Sequence, residues 1–163
     1  MIILYRLPLP PSGSGSNSRG WRTKSAAAKS YRAECAAAYR AQGIPAGAPW
    51  PLVHVIIEMR VCRKRLKEPQ LIDGAMPVME YTDWREAAGR YRPRDAGNVH
   101  DACKSAIDAL QPEHWRQARG GLVLVPGAGV VVGDDLKHMS LGAPGIVEVS
   151  SHAAEGVYVT VTQ

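Results

Sequence analysis

The chain has 163 residues, 45% of them hydrophobic, enough for one domain with a real core. Its formal charge of +5 and pI near 9.3 favour an acidic partner, either nucleic acid or an anionic surface. No apolar run approaches a membrane span, Met1 to Tyr5 is too short for a signal-peptide core, and three distant cysteines without a CxxC pair argue against a zinc site. Cys35, Cys62 and Cys103 read as reduced thiols on buried faces, which points to a cytoplasmic location.

Ile2 to Leu7 is a short β-branched and aromatic run and predicts a strand. Pro8 to Gly20 is rich in Pro, Ser and Gly and predicts a loop, its tail mixing Arg19, Arg22 and Lys24 with Trp21. Ser25 is expected to cap an alanine-rich helix to about Gln42, stopped by Gly43 and Pro45. Ala28, Tyr31, Cys35, Ala38 and Tyr39 form its apolar stripe, and Lys24, Arg32 and Arg40 are expected in water. Leu52 to Cys62 alternates like a half-buried strand, with Val53, Val55, Ile57, Met59 and Val61 on one side.

Arg63 to Arg92 shows no periodicity, and a stretch that long inside a small domain is functional or mobile. The helix from about Asn98 to Leu110 follows the i, i+3, i+4, i+7 rule through Val99, Ala102, Cys103, Ala106, Ile107 and Leu110. Its opposite stripe carries Gly97, Asp101, Lys104 and Asp108. Leu122 to Val125 and Val130 to Val132 flank Pro126-Gly127-Ala128-Gly129, a pattern that predicts a β-hairpin. Ile146 to Ser150 and Val157 to Thr162 predict two more strands, joined by a turn near Glu155. The expectation is a single α/β (α+β) domain over 1–163: one mixed sheet with two main helices against it.

The chemistry concentrates in Arg92-Pro93-Arg94-Asp95-Ala96-Gly97-Asn98, the helix with Lys104, and Gly133-Asp134-Asp135. One or two carboxylates with water and phosphate are what Mg²⁺ prefers. Each group has a plainer reading. Asp95 suits an N-terminal helix cap, Asp134-Asp135 a turn, and Lys104 a salt bridge to Asp101 or Asp108 worth a few tenths of a kcal/mol. His100 and His138 read as polar surface residues, with His138 near enough to Asp135 in sequence to touch phosphate.

In combination these residues resemble the RusA-type Holliday junction resolvases, small endonucleases of bacteria and their phages. The resemblance rests on four ordered passages: Leu7-Pro8-Leu9-Pro10-Pro11-Ser12 with Asn17 and Arg19 after it, Tyr31-Arg32, Arg94-Asp95-x-x-Asn98 with Lys104 and Ile107-Asp108-Ala109-Leu110, and Asp134-Asp135. Relative to compact members, about 63–92 and 112–129 look like insertions. The resemblance implies metal-binding aspartates at Asp95 and Asp135 with Asp134 beside them, a catalytic lysine at Lys104, and Mg²⁺ (or Mn²⁺ in its place). Compact members keep a second aspartate where Gly97 stands, and Lys104 lies further from Asp95 than in them; a divergent branch uses Asp-x-x-Asn with the longer spacing. Asp101 or Asp108 is a candidate replacement carboxylate.

The family's activity would then be symmetric hydrolysis of a four-way DNA junction by a homodimer, with no membrane partner. Arg19, Arg22, Lys24, Arg90, Arg92, Arg94 and Asn98 would contact the DNA, the cations along its backbone. Two other readings stand beside this one. The first is a branched- or single-stranded-DNA-binding protein without cleavage. The second is a small structural or regulatory domain whose acidic cluster is merely surface.

Overall fold

The computed structural model describes residues 1–11, 21–62, 96–133, 135 and 137–163. In chain order these form β1 (Ile2–Leu7), α1 (Trp21–Gln42), β2 (Val53–Cys62), α2 (Ala96–Asp108), β3 (His114–Ala118), β4 (Gly121–Val125), β5 (Met139–Leu141), β6 (Gly145–Val149), a 3₁₀ turn (His152–Ala154) and β7 (Gly156–Thr162).

Five strands make one mixed sheet. β7 lies antiparallel between β1 and β2, and the far edge of β2 takes β5 along Val53–Val55 and β6 along Glu58–Cys62, both parallel. With the two helices this is the expected α+β architecture. Alternation along the strands decides the faces. Tyr5 and Leu7 of β1, Val53, Val55, Ile57 and Met59 of β2, and Val157, Val159 and Val161 of β7 are buried. Against them pack Tyr31, Cys35, Ala36 and Tyr39 of α1 and Val99, Ala102, Cys103, Ala106 and Ile107 of α2. Ile2, Leu4 and Ile56 on the opposite side of the sheet are exposed, so the helices cover one face.

The ends of β1, β2, β6 and β7 fall within a residue of where periodicity places them, and so do the apolar stripes of both helices, while β5 is a strand the sequence does not predict. Three expectations change. The first helix begins at Trp21, so Ser25 lies a turn inside it and is not its cap. Nothing from Trp21 to Lys24 interrupts a helix that the alanine-rich run propagates, and Arg22 and Lys24 therefore stand on its first turn, not in the preceding loop. Arg32 is not in water: its side chain is 16% exposed and its guanidinium holds main-chain carbonyls.

The third change is the hairpin. Leu122 to Val125 pairs with His114–Ala118, a strand with no apolar alternation to announce it, and not with Val130 to Val132. The chain turns at Arg119-Gly120, and Gly121 (φ 118°) takes the left-handed position such short loops require. Val130 and Val131 instead enter the core, and Val131 bridges to Trp50.

Among the described residues no helix is long and apolar enough to cross a membrane. The segment 63–92 expected as an insertion lies outside the described residues.

Candidate functional site

α2 presents its apolar stripe to the sheet, which leaves Asp101 and Lys104 exposed on the opposite side. Lys104 Nζ donates to Asp108 Oδ1 at 3.2 Å, an i,i+4 pair in which the lysine side chain is 70% exposed and the aspartate 19%. Such a pair is worth only a few tenths of a kcal/mol, so the ammonium is readily released to another anion. Asp108 is more committed. Its second oxygen lies 3.7 Å from Arg32 Nη1, and its carbonyl accepts from Arg32 Nη2 at 2.7 Å. Of the two candidate replacement carboxylates, Asp101 is the one open to solvent.

Asp135 opens the turn that leads into β5. Its Oδ1 accepts from the Lys137 amide at 3.0 Å and lies 2.7 Å from His138 Nδ1. Its carbonyl accepts from the amides of His138 and Met139, at 3.0 and 2.9 Å. The turn is thus capped by its own first residue, as the plainer reading of the acidic pair anticipates. The His138 ring passes close to Gly133, where a Cβ would stand 3.1 Å from His138 Nδ1. The turn is tied to the sheet by the Val53 amide, which donates to the His138 carbonyl at 2.9 Å.

The bond from His138, then the Lys137 amide, hold the Asp135 carboxyl below its ordinary range. The contacts from the Lys137 amide and from His138 Nδ1 fall on Oδ1 of an exposed carboxylate. A carboxylate of that kind fits a hard divalent cation. Asp135 alone makes no metal site, and among the described residues no group of three or more His, Cys, Asp or Glu is placed to hold a metal.

His100 departs from the surface role expected of it. Its Nε2 is shut from solvent and has no hydrogen-bond partner among the described residues. The signal was available: position 100 adjoins the buried Val99 and Cys103 on the helix, so its ring lies along the edge of the packed stripe.

The described members of the candidate set are Asp101, Lys104, Asp108 and Asp135. Among the described residues no hydrogen bond or ion pair links Asp101 or Lys104 to Asp135. Asp95, Asp134, Arg19, Arg90, Arg92 and Arg94 lie outside the described residues, and so do the side chains of Arg22, Lys24 and Asn98. No family model matches the chain, and comparison with curated proteins and with solved structures finds none similar to it.

Proposed function

We propose that the chain is a Mg²⁺-dependent endonuclease that cuts four-way DNA junctions, similar in its motif order to the RusA-type resolvases. The observation that carries the reading is the Asp135 turn. Asp135 is exposed, and its Oδ1 accepts from the Lys137 amide and lies 2.7 Å from His138 Nδ1, which supports a role as a metal-binding carboxylate. Lys104, exposed on the outer stripe of α2, supports it.

Asp95 and Asp135, with Asp134 adjacent, would hold Mg²⁺. Bound there, the ion supplies a water of lowered pKa and offsets charge on the scissile phosphate. Lys104 leaves its weak pair with Asp108 and stabilises negative charge developing on a phosphoryl or leaving-group oxygen. His138 orients the Asp135 carboxylate through the Oδ1 contact. Cations of the first loop, of α1 and of the stretch before Asp95 grip the backbone, with affinity that falls as salt rises. Two symmetric nicks need two sites, hence a C₂ homodimer.

A second reading, binding of branched DNA without cleavage, is favoured by Gly97 standing where a carboxylate is expected. One assay separates the two. A labelled four-way junction is incubated with and without Mg²⁺, beside Asp95→Asn and Asp135→Asn. Paired, metal-dependent nicks that both substitutions remove are the expected result. Binding without nicks transfers the conclusion to the second reading, and neither binding nor nicks rejects both.

A further inference from the structure

The β3–β4 hairpin stands outside the main sheet and pairs with no other strand among the described residues. An isolated two-stranded ribbon is marginal in water, yet this one is firmly rooted. Behind it, the amides of Ala128, Gly129 and Val130 donate to the carbonyls of Ala109, Gln111 and Leu110 at 2.8 to 2.9 Å. From α1, Arg32 Nε and Arg40 Nη1 donate to the carbonyls of Pro126 and Gly127 at 2.8 and 2.7 Å.

The register sorts the ribbon into two faces. Trp115 lies opposite Leu124 and Gln117 opposite Leu122, while Arg116 lies opposite Val123 on the other face. The first face is apolar and open: Trp115 is 64% exposed, Leu122 66% and Leu124 40%. Arg116 is exposed on the second face, and Arg119 is exposed in the turn at the tip. No carboxylate occurs from His114 to Val125.

We infer that this ribbon is a nucleic-acid contact, a wedge that enters branched DNA at the branch point; the inference rests on the junction-nuclease reading. Charge selects the partner. Two exposed guanidiniums on a ribbon that itself carries no acid from His114 to Val125 suit phosphates, which they bind in bidentate fashion. Shape agrees, because a two-stranded ribbon is of a size that B-DNA's major groove admits. The apolar face suits bases left unstacked where arms diverge, since aromatic and aliphatic side chains serve as stacking platforms and wedges there.

A second copy of the chain fits less well. A contact between copies through the apolar face would leave the exposed Arg116 on the opposite face without an anionic partner, whereas nucleic acid engages both.

The test measures anisotropy of a labelled four-way junction and of a duplex of equal length over a salt series in EDTA, with light scattering for mass. Wild-type chain is compared with Arg116→Gln/Arg119→Gln and with Trp115→Ala/Leu122→Ala, each checked by circular dichroism. The arginine variant is expected to weaken binding and flatten the log–log salt slope by about 2, roughly 0.9 per phosphate contact. The apolar variant is expected to bind the junction ~10-fold less tightly, with little change on duplex. Wild-type-like binding by both variants overturns the wedge alone and leaves the nuclease reading standing. A drop from dimer to monomer in either variant overturns it in favour of a protein interface. Failure of the wild-type chain to bind the junction removes the function and the wedge together.

Discussion

Arg32, midway along α1, holds the C-terminal end of α2 and the base of the hairpin at once. Its Nη2 donates to the Asp108 carbonyl at 2.7 Å, its Nε donates to the Pro126 carbonyl at 2.8 Å, and Nη1 lies 3.7 Å from the Asp108 carboxylate. A planar fork with separate donors on three nitrogens can do this, whereas an ammonium cannot. Replacing Arg32 by Ala is expected to cost about 2–3 kcal/mol, because charge-assisted bonds to half-buried acceptors are lost. Arg32→Lys is expected to recover less than half of that. Urea unfolding of the two variants measures both values.

Asp108 and Asp101 are expected to separate. Asp108→Asn weakens the contacts with Arg32 and Lys104 and lowers stability by about 1 kcal/mol, while metal-dependent nicking persists. Asp101→Asn leaves stability unchanged and raises the Mg²⁺ concentration needed for half-maximal nicking. Lys104→Met, at an exposed position, leaves the unfolding midpoint unchanged and abolishes nicking. Nicking of a labelled junction across a Mg²⁺ titration, paired with unfolding curves, reads all three.

His138→Ala is expected to raise the Asp135 carboxyl towards its ordinary value, since the bond from His138 is the largest cause of its lowering. The sign follows from linkage. A group whose folded pKa is depressed adds stability that is present above the unfolded value of 3.8 and lost as pH falls through the folded value. The variant should therefore lose less stability than wild type below that pH. Carboxyl chemical shifts followed from pH 6 to pH 2 measure the change directly.

Gly127 is a close approach of two backbones. A Cβ there would lie 2.2 Å from the Gln111 carbonyl oxygen and 2.7 Å from the Pro112 carbonyl carbon. Main chain cannot step aside as a side chain does, so Gly127→Ala is expected to cost on the order of 3 kcal/mol. Gly120→Ala is the control, since a Cβ at Gly120 meets nothing within 4 Å. Thermal melts of the pair test the contrast.

Cys35 and Cys103 are fully buried cysteines on the facing sides of the two helices. Burial pushes the Cys35 thiol up to about 12, so almost none is thiolate at pH 8. Both are expected to resist an aromatic disulfide reagent in the native chain and to react once urea unfolds it. Peptide mapping of the labelled sites distinguishes them from Cys62.

Four of the five main-sheet strands and the apolar faces of both helices were legible because burial writes itself into periodicity, whereas the three-residue β5 is too short to show a period. Val53 to Val61 alternates, and Val99 to Leu110 repeats at helical spacing, so the covered side of each element could be read directly. His114 to Ala118 could not be found that way. A ribbon exposed on both faces has no inside, hence no alternation, and its exposed Trp115 and Arg116 look like loop residues.

The candidate site divides along the same line. Side-chain chemistry and chain order singled out Asp95, Lys104, Asp101 and the Asp134-Asp135 pair without coordinates, because metal and phosphate chemistry demands those residue types. Only the tertiary structure decided which of them are committed elsewhere. It bound Asp108 to Arg32 from another helix, turned His138 onto Asp135, and sealed His100 Nε2 from water. Local sequence determines what a side chain is able to do, whereas contacts between distant segments determine which of its atoms remain available.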